Sequence, residues 1–166
     1  MKQTEDKGFL IRKALKDDVP VILDFIKKLA EYEQLLHEVI ATEAELERYL
    51  FSEEKVAEVL IAYEESVPVG FALFFHNFST FLGRPGIYLE DLFVLEEHRG
   101  KSYGKKLLTR LAALALERNC GRLEWAVLNW NKPSIEFYKS LGARTMDEWL
   151  INRLSGEKLA KLAAEY

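Results

Sequence analysis

Ile87-Tyr88-Leu89-Glu90-Asp91-Leu92-Phe93-Val94-Leu95, followed closely by Arg99-Gly100-Lys101-Ser102-Tyr103-Gly104-Lys105-Lys106, decides how the chain folds. The first run is short, strongly apolar and reads as a strand. From about Ser102 to Arg118 the period turns helical, with Leu107, Leu108, Leu111, Leu114 and Ala115 on one face and Gly121 as the expected stop. A core strand therefore passes through a glycine turn into a long amphipathic helix.

Towards the N-terminus, Val56–Tyr63 and Val67–His76 are rich in β-branched and aromatic residues and form a predicted hairpin around Glu64-Glu65-Ser66. Phe78–Gly86 reads as a loop. Thr42-Glu43-Ala44-Glu45 has the form of a capping box for a helix reaching about Phe51. Before it, Val19, Ile22, Phe25, Ile26 and Leu29 define a helix capped by Asp17 or Asp18 and carried on towards Tyr32 and Glu33. Phe9–Leu15 is a first strand. Towards the C-terminus come a strand at Leu123–Leu128, a helix at Lys132–Leu141, a last strand at Trp149–Leu154 and an amphipathic helix in Ser155–Tyr166. No linker or repeat interrupts the series, which predicts one mixed α/β domain over residues 1–166.

The 166 residues are 49% hydrophobic and 30% charged, values of a globular chain able to bury a core. The net charge is -4 and the basic residues form no stripe, which excludes a nucleic-acid footprint and favours cationic ligands. Cys120 is the single cysteine, and His37, His76 and His98 are scattered, so neither a disulfide nor a metal site is expected. Met1–Gly8 is polar, and the longest apolar stretches, Val67–Phe75 and Leu111–Leu116, are too short to span a bilayer. A cytoplasmic protein is expected.

Three segments carry chemistry. The Arg99–Gly104 turn opens a helix, so its N–H groups and dipole suit a diphosphate, with Arg99, Lys101, Lys105 and Lys106 adding charge. The alternative is an ordinary glycine turn with solvated lysines. It is not a P-loop, because Leu95 stands where that motif requires glycine. In the strand, Glu90 and Asp91 fall on opposite faces by simple alternation. Either they line a sheet edge, solvated or paired with arginine, or they border a wet cleft and hold or deprotonate an ammonium group. In Trp130-Asn131-Lys132-Pro133-Ser134-Ile135-Glu136-Phe137-Tyr138, Asn131 caps a helix and shares one face with Ser134 and Tyr138. Tyr138 is either a core aromatic or a phenol presented to a ligand.

Together these segments, with Ile26-Lys27-Lys28-Leu29-Ala30-Glu31-Tyr32-Glu33, resemble the GNAT superfamily, most closely its spermidine/spermine (diamine/thialysine) N-acetyltransferase branch. The resemblance covers nearly the whole chain in order. It implies a mostly antiparallel mixed sheet flanked by helices, with central strands that splay to admit acetyl-CoA, and a homodimer. It also implies that the backbone of Leu92, Phe93 and Val94 bonds the pantetheine arm. Arg99, Gly100, Lys101, Ser102, Tyr103, Gly104 and Lys105 then form the diphosphate turn, with Asn131 and Ser134 contacting the coenzyme further along. Glu90 matches the base and Tyr138 the general acid; Tyr32, Glu33, Asp91, Glu124 and Trp125 match the amine site.

An acid-lined site both attracts an ammonium group and strips its proton, and a strand N–H near Phe93 suits the developing oxyanion. Cys120 has no part in such direct transfer. This chain has Ser102 where the family pattern has its middle glycine, and it is shorter around Asp147-Glu148-Trp149 than polyamine acetylators. The leading expectation is acetyl transfer to a small cationic amine without a metal. The alternatives are a protein lysine or N-terminal acceptor, or a non-catalytic coenzyme-A-binding protein.

Overall fold

The computed structural model describes residues 8–166. The polar reading of Met1–Gly8 lies, apart from Gly8, outside the described residues. Two compact units occur, the first ending at Ala126 and the second comprising Val127–Tyr166.

The first unit holds a five-stranded sheet in the order β1 (Phe9–Lys13), β2 (Glu58–Glu64), β3 (Val67–Ser79), β4 (Arg84–Val94), β5 (Leu123–Trp125). All neighbours are antiparallel except β4 and β5, which run parallel. Helices α1 (Val19–Tyr32), α2 (Glu43–Phe51) and α3 (Tyr103–Glu117) complete the unit. The mixed, mostly antiparallel α/β class expected from the sequence is the one observed.

Strand alternation makes the sheet two-sided. Val59 and Ile61 of β2 join Ile22, Phe25, Leu50, Phe71 and Phe93 in one buried cluster, in which the Phe25 and Phe71 rings stack at 5.5 Å. Leu60 and Ala62 alternate with them and are buried on the opposite face, towards α3 with its buried Leu107, Leu108 and Leu111. On this α3 face the Phe9 and Tyr103 rings stack at 4.3 Å.

Local signals set most element ends. The Thr42 hydroxyl accepts from Glu45 N–H at 3.2 Å, and Glu45 Oε2 accepts from Thr42 N–H at 3.0 Å, the expected capping box. Asp18 precedes α1 but makes no side-chain cap. Its carboxylate instead accepts from Arg12 (2.7 and 2.9 Å), Leu15 N–H and the Tyr63 hydroxyl, because two cationic and phenolic donors outcompete one helix-end amide. These partners hold the Asp18 carboxyl below its ordinary range, the Arg12 hydrogen bond foremost. Nor does Gly121 stop α3. Asn119 takes the left-handed conformation (φ 54°), and the bonds Cys120 N–H to Ala115 O and Asn119 N–H to Leu116 O close the end. Gly121 instead donates to Pro85 O at 2.8 Å.

The predicted loop Phe78–Gly86 is mostly strand. Phe78 pairs with Pro85 and Ser79 with Arg84, so β3 and β4 extend almost to the turn between them. Proline and glycine mark a break only where no partner strand continues the ladder. In β5 the reverse holds: pairing covers Ile87–Leu89 against Leu123–Trp125 and stops, so the strand expected to reach Leu128 ends early. Beyond that point β4 runs on to Val94 without a strand on this side among the described residues, which leaves that edge open.

Gly70 lies where β3 meets this extension of β4. A Cβ there would stand 2.5 Å from the Phe93 carbonyl oxygen, a backbone atom that cannot swing away. Gly70→Ala should therefore lower stability by about 1–3 kcal/mol through overpacking, read as a fall in the midpoint of thermal unfolding. An unshifted midpoint would contradict the tight β3–β4 approach.

The second unit holds α4 (Lys132–Ser140) and α5 (Gly156–Ala163). Asn131 caps α4 as expected, its Oδ1 accepting from Ser134 N–H at 3.3 Å. Trp149–Leu154, read as a last strand, is not one. Trp149, Leu150 and Ile151 are largely exposed, and among the described residues no strand pairs with them. β-Branched and apolar composition marks a strand only when a ladder partner exists. Among the described residues no helix is long and apolar enough to cross a membrane.

Candidate functional site

The feature that organises the site is a bulge. Along the β3–β4 ladder Phe74 pairs with Leu89 and Leu73 with Asp91, leaving Glu90 as the extra residue. Simple alternation put Asp91 on the same face as Leu89. The bulge reverses that: Asp91 shares the face of its partner Leu73, the face of Phe71 and Phe93 on which α1 packs. Glu90 is exposed at the bulge.

At the end of α1, Glu33 is the C-cap and Gln34 turns left-handed (φ 62°), with Leu35 N–H bonded to Ala30 O at 2.7 Å. Glu33 is close enough there for its charge to act on Asp91. Burial pushes the Asp91 carboxyl up to about 6, with the charges of Glu90 and Glu33 adding to the rise, and burial also raises Glu33. Three carboxylates thus share an electrostatic neighbourhood beside the unpaired edge of β4. Such a place favours a cation and supplies a carboxylate basic enough to take its proton.

The turn after β4 shows how the chain could receive an anionic coenzyme. Leu95 N–H bonds Val69 O, a short 3-10 turn spans Glu96–His98, and Gly100 (φ 79°) and Ser102 (φ 63°) both turn left-handed before α3 begins at Tyr103. A Cβ added at Gly100 would meet nothing within 4 Å, so that side of the turn is open. Open space, a main-chain turn and the N-terminus of a long helix fit a diphosphate group. The unpaired edge at Leu92–Val94 fits an amide-bearing arm, although the Val94 carbonyl already accepts from Arg99 Nε at 3.0 Å.

The cations singled out around this turn are largely engaged with the protein. The Arg99 guanidinium lies 4.9 Å from the centre of the Tyr32 ring and 5.8 Å from that of Phe93. Lys101 pairs with Glu64 at 2.9 Å, and Lys106 lies over the Phe9 ring at 4.4 Å. Lys105 is exposed on the first turn of α3. Main-chain donors and the helix dipole, more than lysine charge, are left to meet an anion there.

Not every expected amine-site residue joins the acid group. Glu124 on β5 accepts from Asn77 Nδ2 at 2.7 Å and pairs with Arg122 at 2.8 Å, and Trp125 pairs with Leu89 in the ladder. Asn131 caps α4 of the second unit, and Ser134 and Tyr138 lie on it, where the Phe137 and Tyr138 rings sit 5.3 Å apart. Glu64 carries no local signal in the sequence, because an acid at the end of a hairpin strand is ordinary there.

The fold class is that of the N-acetyltransferases: a mixed sheet whose β4 runs on past the end of β5 and leads into a glycine turn that opens a helix. A sequence model described as "Acetyltransferase (GNAT) family" matches residues 25–143. A thialysine N-epsilon-acetyltransferase of Sus scrofa is 40% identical, covering 94% of this chain and 98% of that protein. An L-ornithine N5-acetyltransferase of Arabidopsis thaliana is 32% identical over 90% of this chain and 85% of its own length. An integron cassette protein from the mobile metagenome of V. cholerae superposes with a TM-score of 0.79 at 32% identity, covering 94% of this chain and 98% of that one. The chain belongs to the GNAT acetyltransferase family.

Proposed function

We propose that this protein transfers an acetyl group from acetyl-CoA directly to a primary amine of a small cationic acceptor, a polyamine, a diamine or a lysine-like amine. The observation that carries the reading is the convergence of Glu33, Glu90 and Asp91 beside the strand edge that β5 leaves unpaired. Relatives named for thialysine and ornithine support an acceptor with an amine on a short flexible stem. Acetyl-CoA, when bound, supplies the acetyl group activated as a thioester.

The chain's own residues do the rest. Gly100–Lys105 and Leu92–Val94 hold the coenzyme by main-chain groups, with Asn131 and Ser134 further along. Glu33 and the Glu90–Asp91 pair attract the ammonium form, and the pair accepts its proton, Asp91 being raised towards neutrality. Three interacting acids titrate as a set, so the apparent value belongs to the group rather than to one carboxylate. In this reading a strand N–H near Phe93 stabilises negative charge on the acyl oxygen. The Tyr138 hydroxyl is the proton donor on the leaving-group side. The family match runs across residue 126, which supports one N-acetyltransferase domain over residues 1–166. The same reading makes the protein a cytoplasmic homodimer.

The test is acetyl-CoA turnover measured in parallel on spermidine, putrescine, lysine, thialysine, ornithine and a panel of lysine peptides. Turnover on one or more of the small amines is expected. Activity on the peptides alone would overturn the small-amine reading.

A further inference from the structure

Glu64, at the end of β2, makes three contacts that the acetyl-transfer chemistry leaves without a role. Its carboxylate accepts from the Tyr103 hydroxyl at 2.5 Å, from Lys101 Nζ at 2.9 Å to both oxygens, and from His98 Nδ1 at 2.6 Å. A carboxylate only accepts, so the imidazole donates from Nδ1. These donors lower the Glu64 pKa to about 2, the Tyr103 hydrogen bond foremost and Lys101 next. The three partners lie 34, 37 and 39 residues away in the chain, yet all belong to the turn that leads into α3. Glu64 is brought there by the sheet: it pairs with Phe9, whose ring stacks on Tyr103.

The turn so gripped contains a residue in an uncommon conformation. Ser102 is left-handed (φ 63°), and a residue with a Cβ occupies that region at a steric cost that glycine does not meet. Lys101 and Tyr103, its neighbours on both sides, are the residues bonded to Glu64. Isolated ion pairs at a surface contribute little. In this turn one carboxylate, its side chain 24% exposed, collects three donors from one short segment, and loosening any of them frees the same backbone.

We propose that Glu64 is a positioning residue of the coenzyme turn: its carboxylate holds His98, Lys101 and Tyr103 so that Ser102 keeps the left-handed conformation a glycine would adopt unaided. The proposal rests on the reading of this turn as the acetyl-CoA diphosphate site. Without the clamp the turn relaxes into conformations that Ser102 prefers. The coenzyme must then select a smaller competent population, and its apparent affinity falls by that fraction.

The experiment is a double-mutant cycle with Glu64→Gln and Ser102→Gly, reading acetyl-CoA Kd by calorimetry and the unfolding midpoint of each chain without coenzyme. In the Ser102 chain, Glu64→Gln is expected to raise the acetyl-CoA Kd about fivefold, the equivalent of about 1 kcal/mol of left-handed strain. The KM for acetyl-CoA should follow the Kd, with kcat and the amine KM changing far less. In the Ser102→Gly chain the same replacement should change Kd less than about twofold, and the midpoints should show coupling of the same sign. Equal losses in both backgrounds, or no loss in either, would overturn the clamp while leaving the coenzyme site intact. Failure of the unaltered chain to bind acetyl-CoA would sink the coenzyme reading and, with it, the positioning role of Glu64.

Discussion

Tyr138→Phe should cut turnover on the order of 10²-fold or more while leaving acetyl-CoA affinity within about twofold. The substitution removes one oxygen and keeps the ring, so the Phe137–Tyr138 contact and the capped start of α4 survive. What disappears is a proton donor. Without it the sulfur must leave the tetrahedral adduct as a bare thiolate rather than as a thiol, so cleavage of the carbon–sulfur bond slows. Tyr138 shares its helix face with Asn131 and Ser134, which the proposed function gives to the coenzyme, and that reading puts the donor on the leaving-group side. Steady-state kcat together with calorimetric Kd separates the two effects. Unchanged kcat would remove Tyr138 from the mechanism.

A second large effect is expected at the bulge. Asp91→Asn should lower kcat/KM on the order of 10²–10³-fold, because the amide cannot accept the ammonium proton. In the unaltered chain kcat/KM should rise with pH through about 6, as the acid set led by Asp91 loses its proton, and then level off. Asp91→Asn should abolish that limb. Glu90→Gln should move it to lower pH, since the charge of Glu90 is one of the causes of the rise at Asp91. Absence of a limb near pH 6 in the unaltered chain would sink the assignment.

Stability carries the opposite sign. The folded Asp91 carboxyl binds its proton more tightly than the value of 3.8 typical of an unperturbed aspartic acid, so the native state holds more protons between that value and about 6. Folding stability attributable to this group is present below that window and is lost as pH rises through it. Asp91→Asn should therefore raise the unfolding midpoint at pH 7 and confer no such gain at pH 3. A variant more stable at neutral pH and far less active marks a site whose desolvated charge serves chemistry at the expense of stability.

Much of this was legible along the chain because it depends on neighbours within a turn or two. The Thr42–Glu45 capping box, the Asn131 cap and the apolar face of α3 are short-range features, and the structure contains all three. Readings failed where a local signal met a distant partner. Asp18 reads as a helix cap until Arg12 and Tyr63 are brought to it, and Trp149–Leu154 reads as a strand although among the described residues no ladder partner reaches it. Gly121 looks like the stop of α3, whereas Asn119 is the residue that turns.

The candidate site divides in the same way. Residue types and spacing determined the resemblance to the family, the order of elements as far as α4, the acid pair on a core strand and the glycine turn before a helix. Only the tertiary structure decided that Glu90 bulges, that Asp91 consequently faces α1 and Glu33, and that Glu64 grips the turn around Ser102. The reason is one of range. Propensity, capping and periodicity act between residues a few positions apart. Strand register, desolvation and the meeting of charges from separate elements exist only once the sheet has brought those elements together.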